Sequence, residues 1–127
     1  MKKILIVEDE KFIQDLYVLV FTKAEFDVDT ASDGDEALEK VKNNSYDIIL
    51  LDIMLAKKNG VDVLRFIRSD DSHQKNVPVF LITNLGQENI IKEAFTIGAD
   101  GYLLKSQINP TDIVAAVTSY LKKKSAV

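Results

Sequence analysis

The chain has 127 residues, the length of one domain that is large enough to bury a hydrophobic core. Its 16 Lys and Arg against 20 Asp and Glu give a formal net charge of −4, which argues against a protein held on nucleic acid by phosphate contacts. Cysteine is absent and His73 is the only histidine, which excludes disulfide scaffolds, zinc fingers, thiol nucleophiles and serine hydrolase triads. No apolar stretch approaches the length of a membrane span or a signal peptide, so the sequence predicts a cytoplasmic protein.

Five short runs rich in Val, Ile and Leu predict five strands, at residues 3–7, 27–31, 47–52, 77–83 and 101–104. The third run is apolar without interruption from Ile48 to Leu51, which is typical of a parallel strand covered on both faces. The second run is weaker, because polar and apolar residues alternate along it.

Amphipathic segments follow each of these runs and predict five helices. In each segment, apolar residues recur at three- and four-residue spacing and are expected to face the core. They are Ile13, Leu16, Tyr17 and Val20; Ala37, Leu38 and Val41; Val63, Phe66 and Ile67; Ile90, Ile91, Ala94 and Phe95; and Ile113, Ala116, Val117, Tyr120 and Leu121. Gly98 is placed to end the fourth helix, while Asn109 and Pro110 are typical of the start of the fifth.

Regular alternation of strand and helix predicts a parallel sheet with helices on both faces, in three layers. Two doubly wound folds accommodate five strands: the flavodoxin-like order 2-1-3-4-5 and a truncated Rossmann sheet. The Rossmann glycine fingerprint is missing, because the first strand runs directly into Glu8, Asp9 and Glu10. We therefore predict an α/β, flavodoxin-like (βα)5 domain over residues 1–124, with 125–127 as a frayed tail.

Polar side chains stand where four of the predicted strands end. Glu8 and Asp9 follow the first strand, Asp52 ends the third, and Thr83 and Lys105 follow at the ends of the fourth and fifth. Carboxyl ends of parallel strands share one edge of the sheet, where doubly wound folds bind their ligands. Any one of these residues alone would fit a helix cap or a solvated surface position equally well.

Grouped together, these residues favour a site for phosphoryl transfer. Neighbouring carboxylates at Glu8, Asp9 and Asp52 repel one another and need a positive charge to offset their repulsion. Lys105 offers one, and a hard divalent cation with oxygen ligands, such as Mg²⁺, would offer the rest. A cation, a lysine and the Thr83 hydroxyl around one carboxylate would neutralise and bind an incoming phosphoryl group.

The chain resembles the response regulator receiver domain (CheY-like) of two-component and phosphorelay signal transduction. The resemblance covers residues 2–123 and rests on segments that are weak individually and strong in this order and spacing. They are Val7-Glu8-Asp9-Glu10, Leu51-Asp52-Ile53-Met54-Leu55, Asn59-Gly60, Leu81-Ile82-Thr83 and Gly101-Tyr102-Leu103-Leu104-Lys105.

The resemblance implies a phosphoacceptor and a metal site. Asp52 would form an aspartyl phosphate by taking the phosphoryl group from a phosphohistidine on a sensor histidine kinase or histidine phosphotransfer protein. Asp9, Asp52 and the Met54 backbone carbonyl would ligate Mg²⁺ (or Mn²⁺), with Glu8 acting through water. Such a domain catalyses its own phosphorylation and dephosphorylation and is not a conventional turnover enzyme.

The resemblance also implies a conformational switch that controls a partner or output. Lys105 would pair first with Asp52 and then with the phosphoryl group. Thr83 would move toward that group, and Tyr102 would swing inward behind it. From its position alone, Tyr102 fits a half-buried aromatic side chain of the sheet equally well.

Three positions depart from the family pattern. Ala56 and Ser106 replace usual prolines, and Asn84 replaces a usual small residue. Because a cis bond before a non-proline residue costs about 2.5–4 kcal/mol, we predict a trans Lys105–Ser106 peptide. The departures motivate an alternative function as a degenerate receiver, a phosphorylation-independent protein-binding module, whereas the intact acidic, threonine and lysine positions favour phosphorylation.

Two other functions fit the sequence less well. A phosphatase with an aspartyl-phosphate intermediate needs an acid two residues after its nucleophile, and that position is Met54. A flavin site needs a phosphate-cradling loop, which the first strand lacks. The resemblance implies that Met54 and Leu85 influence how fast water hydrolyses the phosphoryl group. Both are apolar and cannot orient a water molecule, so we predict slow hydrolysis.

Phe12 and Leu19 lie beside the predicted core stripe of the first helix. They would either pack against the fifth helix or, with Ile13, dock a partner helix near Asp52. The sequence leaves the downstream target open: a separate protein, a phosphorelay intermediate, or an output domain beyond this chain. A phosphorylation-dependent homodimer through the fourth helix, fifth strand and fifth helix is also compatible with it.

Overall fold

The computed structural model describes residues 1–55, 57, 59–84 and 88–125. Strands and helices alternate in the order β1 (Lys3–Val7), α1 (Lys11–Lys23), β2 (Asp27–Ala31), α2 (Gly34–Asn43), β3 (Ile48–Asp52), α3 (Gly60–Arg68), β4 (Val79–Thr83), α4 (Glu88–Ile97), β5 (Gly101–Leu104) and α5 (Pro110–Ser125). The predicted elements are therefore all present. The fourth strand begins two residues later than predicted, after Pro78, which has no amide hydrogen to donate to a neighbouring strand.

The five strands are parallel and their order is β2-β1-β3-β4-β5, which confirms the flavodoxin-like prediction. The central strands β3 and β4 are buried along their whole length, which explains their unbroken apolar runs. The alternating strand β2 is an edge strand with mostly half-buried residues. None of the helices in the described part of the chain is long and apolar enough to cross a membrane.

The sheet separates two hydrophobic cores, which makes the three-layer arrangement. Alternate side chains of each strand point to opposite faces. One core packs the sheet against α2, α3 and α4, and the other packs it against α1 and α5. The predicted core residues of α5 are confirmed at Ile113, Val117 and Leu121.

Two residues predicted to face the core are instead exposed. Leu16 in α1 is 36% exposed, because the buried face of that helix contains Gln14, Tyr17 and Phe21. The amide of Gln14 is buried against backbone oxygens, as described below, so a polar residue occupies a position expected to be apolar. Phe95 in α4 is 41% exposed, because that helix approaches the sheet through its neighbour Ala94.

Arg68, at the end of α3, joins several segments at the amino ends of β4 and β5. Its guanidinium donates hydrogen bonds to the backbone carbonyls of Gly98, Lys75 and Val77. It also pairs with Asp100 Oδ2 at 2.9 Å, and the same oxygen accepts the amide of Val79 at 2.8 Å. A planar guanidinium matches this set of acceptors, whereas an ammonium reaches fewer of them.

Replacing Arg68 by Lys is expected to lower the free energy of unfolding by about 2 kcal/mol, because partly buried backbone carbonyls lose their donors. Urea unfolding of the purified chain measures the change. The matched control is Arg65→Lys on the same helix. Arg65 is exposed and lies 3.6 Å from Glu93, so its loss should cost no more than about 0.5 kcal/mol. Equal costs for the two variants would contradict the structural role of Arg68.

Candidate functional site

The alternation of side chains along the strands brings Glu8 and Asp52 to one face of the sheet. Each continues a row of apolar side chains that packs against α1 and α5, Ile4 and Ile6 in β1 and Ile48 and Leu50 in β3. Both carboxylates are buried, with Glu8 1% and Asp52 4% exposed. The structure therefore brings the two carboxylates together at the carboxyl edge of the sheet.

Lys105 joins the two carboxylates. Its Nζ lies 2.9 Å from Asp52 Oδ2 and 3.0 Å from Glu8 Oε2, and its side chain is only 14% exposed. The amide of Lys105 donates to the Thr83 carbonyl at 2.8 Å, which extends the β4–β5 pairing to the site. The Lys105–Ser106 peptide is trans, as predicted, and the ammonium still reaches both carboxylates.

Burial raises the pKa of both carboxylates, and like charge adds to the rise at Glu8. Burial raises the pKa of Glu8 to about 7, the Asp52 charge adds to this, and Lys105 opposes it. Burial also raises the pKa of Asp52 against the opposing hydrogen bond from Lys105. Burial alone would lower the pKa of Lys105, but its hydrogen bonds to Asp52 and Glu8 hold it above its usual value. The ammonium is therefore charged and neutralises only part of the acidic cluster.

A third carboxylate completes a group of oxygens suited to a divalent cation. Glu8, Asp9 and Asp52 each offer one oxygen, and these atoms all lie within 4.8 Å of one another. Glu8 Oε2 is buried and accepts no hydrogen bond among the described residues, although Lys105 Nζ is close. Hard oxygen donors with excess negative charge and an unsatisfied carboxylate oxygen fit Mg²⁺.

The remaining predicted residues of the site lie around this cluster. The amide of Met54 donates to Asp52 Oδ1 at 3.0 Å, which orients the carboxylate. Thr83 is 1% exposed and lies on the other face of the sheet, in the row of Leu81. Its hydroxyl lies 3.4 Å from the Asn84 carbonyl, a weak contact that leaves it able to turn to another acceptor.

Tyr102 and the residues of α1 predicted to dock a partner lie at the surface. Tyr102 is 46% exposed, Phe12 is 81% exposed and Leu19 is 51% exposed, while Ile13 is partly buried against the core. At that exposure, Phe12 gains little from packing within the domain. Ala56 and Leu85 lie outside the described residues.

Sequence reasoning missed Gln14, which holds the segment that carries Glu8. Its Nε2 donates to the Glu8 carbonyl at 3.0 Å and to the Ala31 carbonyl at 3.3 Å, so it joins the ends of β1 and β2. The sequence feature that could have indicated this role is the position of Gln14, a polar residue spaced as part of the face of α1 that also carries Tyr17 and Phe21.

Sequence reasoning also missed the structural role of Gly60, although Asn59-Gly60 is one of the segments that resemble the family. A Cβ at this position would lie 2.5 Å from the Asp52 carbonyl oxygen and 2.7 Å from the Ile53 Cα. The Gly60 amide donates to the Ile53 carbonyl at 2.7 Å. Only glycine lets the start of α3 approach the backbone of Asp52 this closely.

Comparison with known proteins identifies the family. Residues 4–118 match the sequence profile of the response regulator receiver domain. The chain belongs to this family. The resemblance seen in the sequence is thus confirmed, and a receiver domain of a two-component system implies a histidine kinase as partner. A receiver domain is not a conventional enzyme.

Curated relatives of this receiver domain are transcriptional regulatory proteins. ResD of Bacillus subtilis is 34% identical over 123 residues, which are 97% of this chain and 49% of ResD. SrrA of Staphylococcus aureus is 35% identical over 121 residues, which are 95% of this chain and 48% of SrrA. The chain thus spans about half the length of these relatives.

Solved structures of receiver domains match the whole fold. The receiver domain of a Francisella response regulator is 27% identical, with a TM-score of 0.85, and the match covers 98% of this chain and 99% of that one. The receiver domain of a Pseudomonas aeruginosa sensor histidine kinase, described with a magnesium ion in its active site cleft, is 22% identical with a TM-score of 0.83. That match covers 95% of this chain and 98% of the other, and it supports the fold.

The raised pKa of Glu8 predicts how the stability of the metal-free receiver domain depends on pH. Because the folded state binds the Glu8 proton more tightly than the unfolded state does, this contribution is complete below about pH 4.5 and is lost as the pH rises through about 7. Glu8→Gln replaces the titrating carboxyl by an amide and should therefore remove this pH-dependent loss of stability. Between pH 5 and 8 in a chelator, the free energy of unfolding of the wild-type protein should fall relative to the variant by on the order of 2–3 kcal/mol.

Urea unfolding at several pH values measures this difference. The control is Glu10→Gln, which changes an exposed neighbouring carboxylate and should reproduce the wild-type pH dependence. Parallel profiles for the wild-type protein and Glu8→Gln would contradict the raised pKa.

Proposed function

We propose that Asp52 is the phosphoacceptor of this receiver domain. The observation that supports this proposal most directly is the buried Asp52 carboxylate, which lies 2.9 Å from the Lys105 ammonium and beside Glu8 and Asp9. One Asp52 oxygen attacks the phosphorus of a phosphohistidine on a sensor histidine kinase or a histidine phosphotransfer protein. The new O–P bond replaces the N–P bond, and the imidazole nitrogen leaves with the electron pair and takes a proton.

The acidic cluster would hold Mg²⁺ (or Mn²⁺) for this transfer. Asp9, Asp52 and the Met54 carbonyl would be its direct protein ligands, and Glu8 would act through water. When bound, the cation neutralises charge on the carboxylate and on the phosphoryl oxygens. The buried Glu8 Oε2 supports this assignment, because among the residues described it accepts no hydrogen bond and has only its ion-pair contact with Lys105 at 3.0 Å.

Two further residues would bind the phosphoryl group once it is attached. The Lys105 ammonium is already within ion-pair distance of Asp52 and can pair with a phosphoryl oxygen without crossing the site. The Thr83 hydroxyl, weakly engaged with a backbone carbonyl, would turn to donate to another phosphoryl oxygen. Tyr102 would then move inward behind Thr83, so that a local electrostatic change alters a packed surface.

Intact mass after incubation with acetyl phosphate tests the phosphoacceptor. The wild-type chain should gain a single phosphoryl adduct that requires Mg²⁺, and Asp52→Ala should gain none. The matched control is Asp15→Ala, which removes an exposed carboxylate of α1 that pairs with Lys11 and should leave the adduct intact.

An adduct that persists in Asp52→Ala would contradict the assignment of the phosphoacceptor. The absence of any adduct on the wild-type chain would favour a degenerate receiver that binds proteins without phosphorylation. Asn84 and Ser106 would then be the first positions to revert to the family pattern.

The surface of α1 near Asp52 suits the docking of the phosphohistidine donor. Phe12, Leu16 and Leu19 are exposed at four- and three-residue spacing and form one apolar stripe, which we call the α1 stripe. With Ile13 at its edge, the α1 stripe would receive a helix of the donor. Apolar side chains exposed in this way add little to the stability of the isolated domain, whereas their burial by a partner would stabilise a complex.

Phe12→Ala should slow phosphotransfer from a phosphorylated histidine kinase by about tenfold or more, since a buried aromatic anchor is lost from the complex. Phosphorylation by acetyl phosphate should stay within about twofold of wild type, because this small donor does not need the α1 stripe. Thr22→Ala, an exposed residue near the end of the same helix, is the control. A large loss of thermal stability in Phe12→Ala with normal transfer would instead show that Phe12 packs within the domain.

Several finer properties belong to the same proposal. Met54 is 52% exposed beside Asp52, and an apolar side chain there should make hydrolysis of the phosphoryl group slow, together with Leu85. Because the curated relatives are transcriptional regulators, we propose control of a transcriptional output, by a region of those relatives that this chain does not match. The net charge of −4 supports protein contacts rather than direct nucleic-acid binding by this domain.

Two assignments complete the proposal. The domain would comprise residues 1–124 and act in the cytoplasm. Phosphorylation would favour a homodimer through α4, β5 and α5.

A further inference from the structure

Phe95 and Tyr102 form an exposed aromatic pair, and the proposed function gives Phe95 no part in the switch. Phe95 lies on α4 and is 41% exposed, and Tyr102 lies on the edge strand β5 and is 46% exposed. Their ring centroids are 6.0 Å apart and the ring planes are inclined by 81°, which is the edge-to-face arrangement that aromatic rings prefer. The outward position of Tyr102 therefore has a specific partner.

The sheet register places Tyr102 on the same face as Thr83. Tyr102 pairs with Leu81, and Thr83 pairs with the next residue but one of β5, Leu104. Leu81 packs in the core covered by α2, α3 and α4, so both Thr83 and Tyr102 face the α4 side of the sheet. The opposite face of β5 is occupied, because Leu103 packs against α1 and α5 and Gly101 lies against the ring of Phe80. Tyr102 can therefore lie outward against Phe95 or turn along this face toward Thr83.

We propose that Phe95 holds Tyr102 outward in the unphosphorylated receiver domain and so restrains the conformational switch. This inference rests on the proposed role of Tyr102 and adds the residue that opposes it. The inward movement of Tyr102 separates the two rings. The ring contact therefore stabilises only the outward state and lowers its free energy relative to the inward state. An edge-to-face pair is worth enough to change the ratio of two such states by about 2- to 12-fold.

The substitution Phe95→Leu tests the restraint. Leucine keeps an apolar side chain and favours a helix, but it has no ring for Tyr102 to pack against. Three-bond couplings about the Tyr102 Cα–Cβ bond, measured by NMR in the unphosphorylated chain, report the rotamer populations directly. The ratio of inward to outward Tyr102 should rise by about 2- to 10-fold in Phe95→Leu. Thr96→Ala, which changes the next exposed residue of α4, is the control and should keep the wild-type ratio.

A double-mutant comparison connects the restraint to phosphorylation. The initial rate of adduct formation with acetyl phosphate should rise in Phe95→Leu, because the inward state resembles the phosphorylated one. The same substitution should have no effect on that rate in a Tyr102→Leu background. Unchanged Tyr102 rotamers in Phe95→Leu, or an equal rate change in both backgrounds, would overturn the proposal.

The two measurements also separate this inference from the proposed phosphoacceptor. The rotamer populations are measured without phosphate or metal, so they decide whether Phe95 restrains Tyr102 even if the wild-type chain forms no adduct. The absence of an adduct would count against the proposed function, whereas normal adduct formation with unchanged rotamers would count only against the restraint.

Discussion

The arrangement of the site depends on one partly buried ammonium, that of Lys105, between two buried carboxylates. Removing a charge from water costs several kcal/mol, and only close, well-oriented partners offset that cost. Lys105 meets this condition with Asp52 at 2.9 Å and Glu8 at 3.0 Å. Because one ammonium faces two carboxylates and Asp9 adds a third nearby, the cluster keeps an excess of negative charge. The fold thus leaves uncompensated negative charge at the place where an anionic phosphoryl group would have to approach, so a bound cation would be needed there.

Backbone contacts maintain this cluster against its own repulsion. β1 and β3 are adjacent in the middle of the sheet, so Glu8 and Asp52 begin from neighbouring positions. Gln14 holds the segment after β1 through the Glu8 carbonyl, and the missing side chain at Gly60 lets α3 support the backbone at Asp52. These contacts act on main-chain atoms. The carboxylate oxygens therefore remain available for Lys105 and for a cation.

The predictable parts of the molecule are those determined by local pattern and by general rules of sheet topology. Apolar runs ending in polar residues were enough to place Glu8, Asp52, Thr83 and Lys105 at one edge, because parallel strands share their carboxyl ends. The buried face of α1 was predicted wrongly at Leu16, since helical spacing fits two adjacent stripes equally well and the true one contains a polar residue. The roles of Gln14, Gly60 and Arg68 were not predictable, because their partners include main-chain atoms of other elements and loops, which residue spacing within one element does not reveal.

On the α4 side, the two ends of β4 and β5 differ in how firmly side chains hold them. At the amino ends of β4 and β5, the Asp100 carboxylate accepts hydrogen bonds from Arg68, from the Val79 amide and from the Tyr120 hydroxyl, so α3, α5 and both strands are joined there. At the carboxyl ends, in the part of the chain that the structure describes, the Thr83 hydroxyl has a weak contact with the Asn84 carbonyl, and Tyr102 packs edge-to-face on Phe95 at an exposed position. A change of charge at Asp52 therefore acts on the less constrained end. A structural change caused by this charge can extend along the α4 side of β4 and β5, while the contacts of Arg68 hold the amino ends of these strands in place. A small electrostatic change at Asp52 can thus alter the surface formed by α4 and β5 without destabilising the domain.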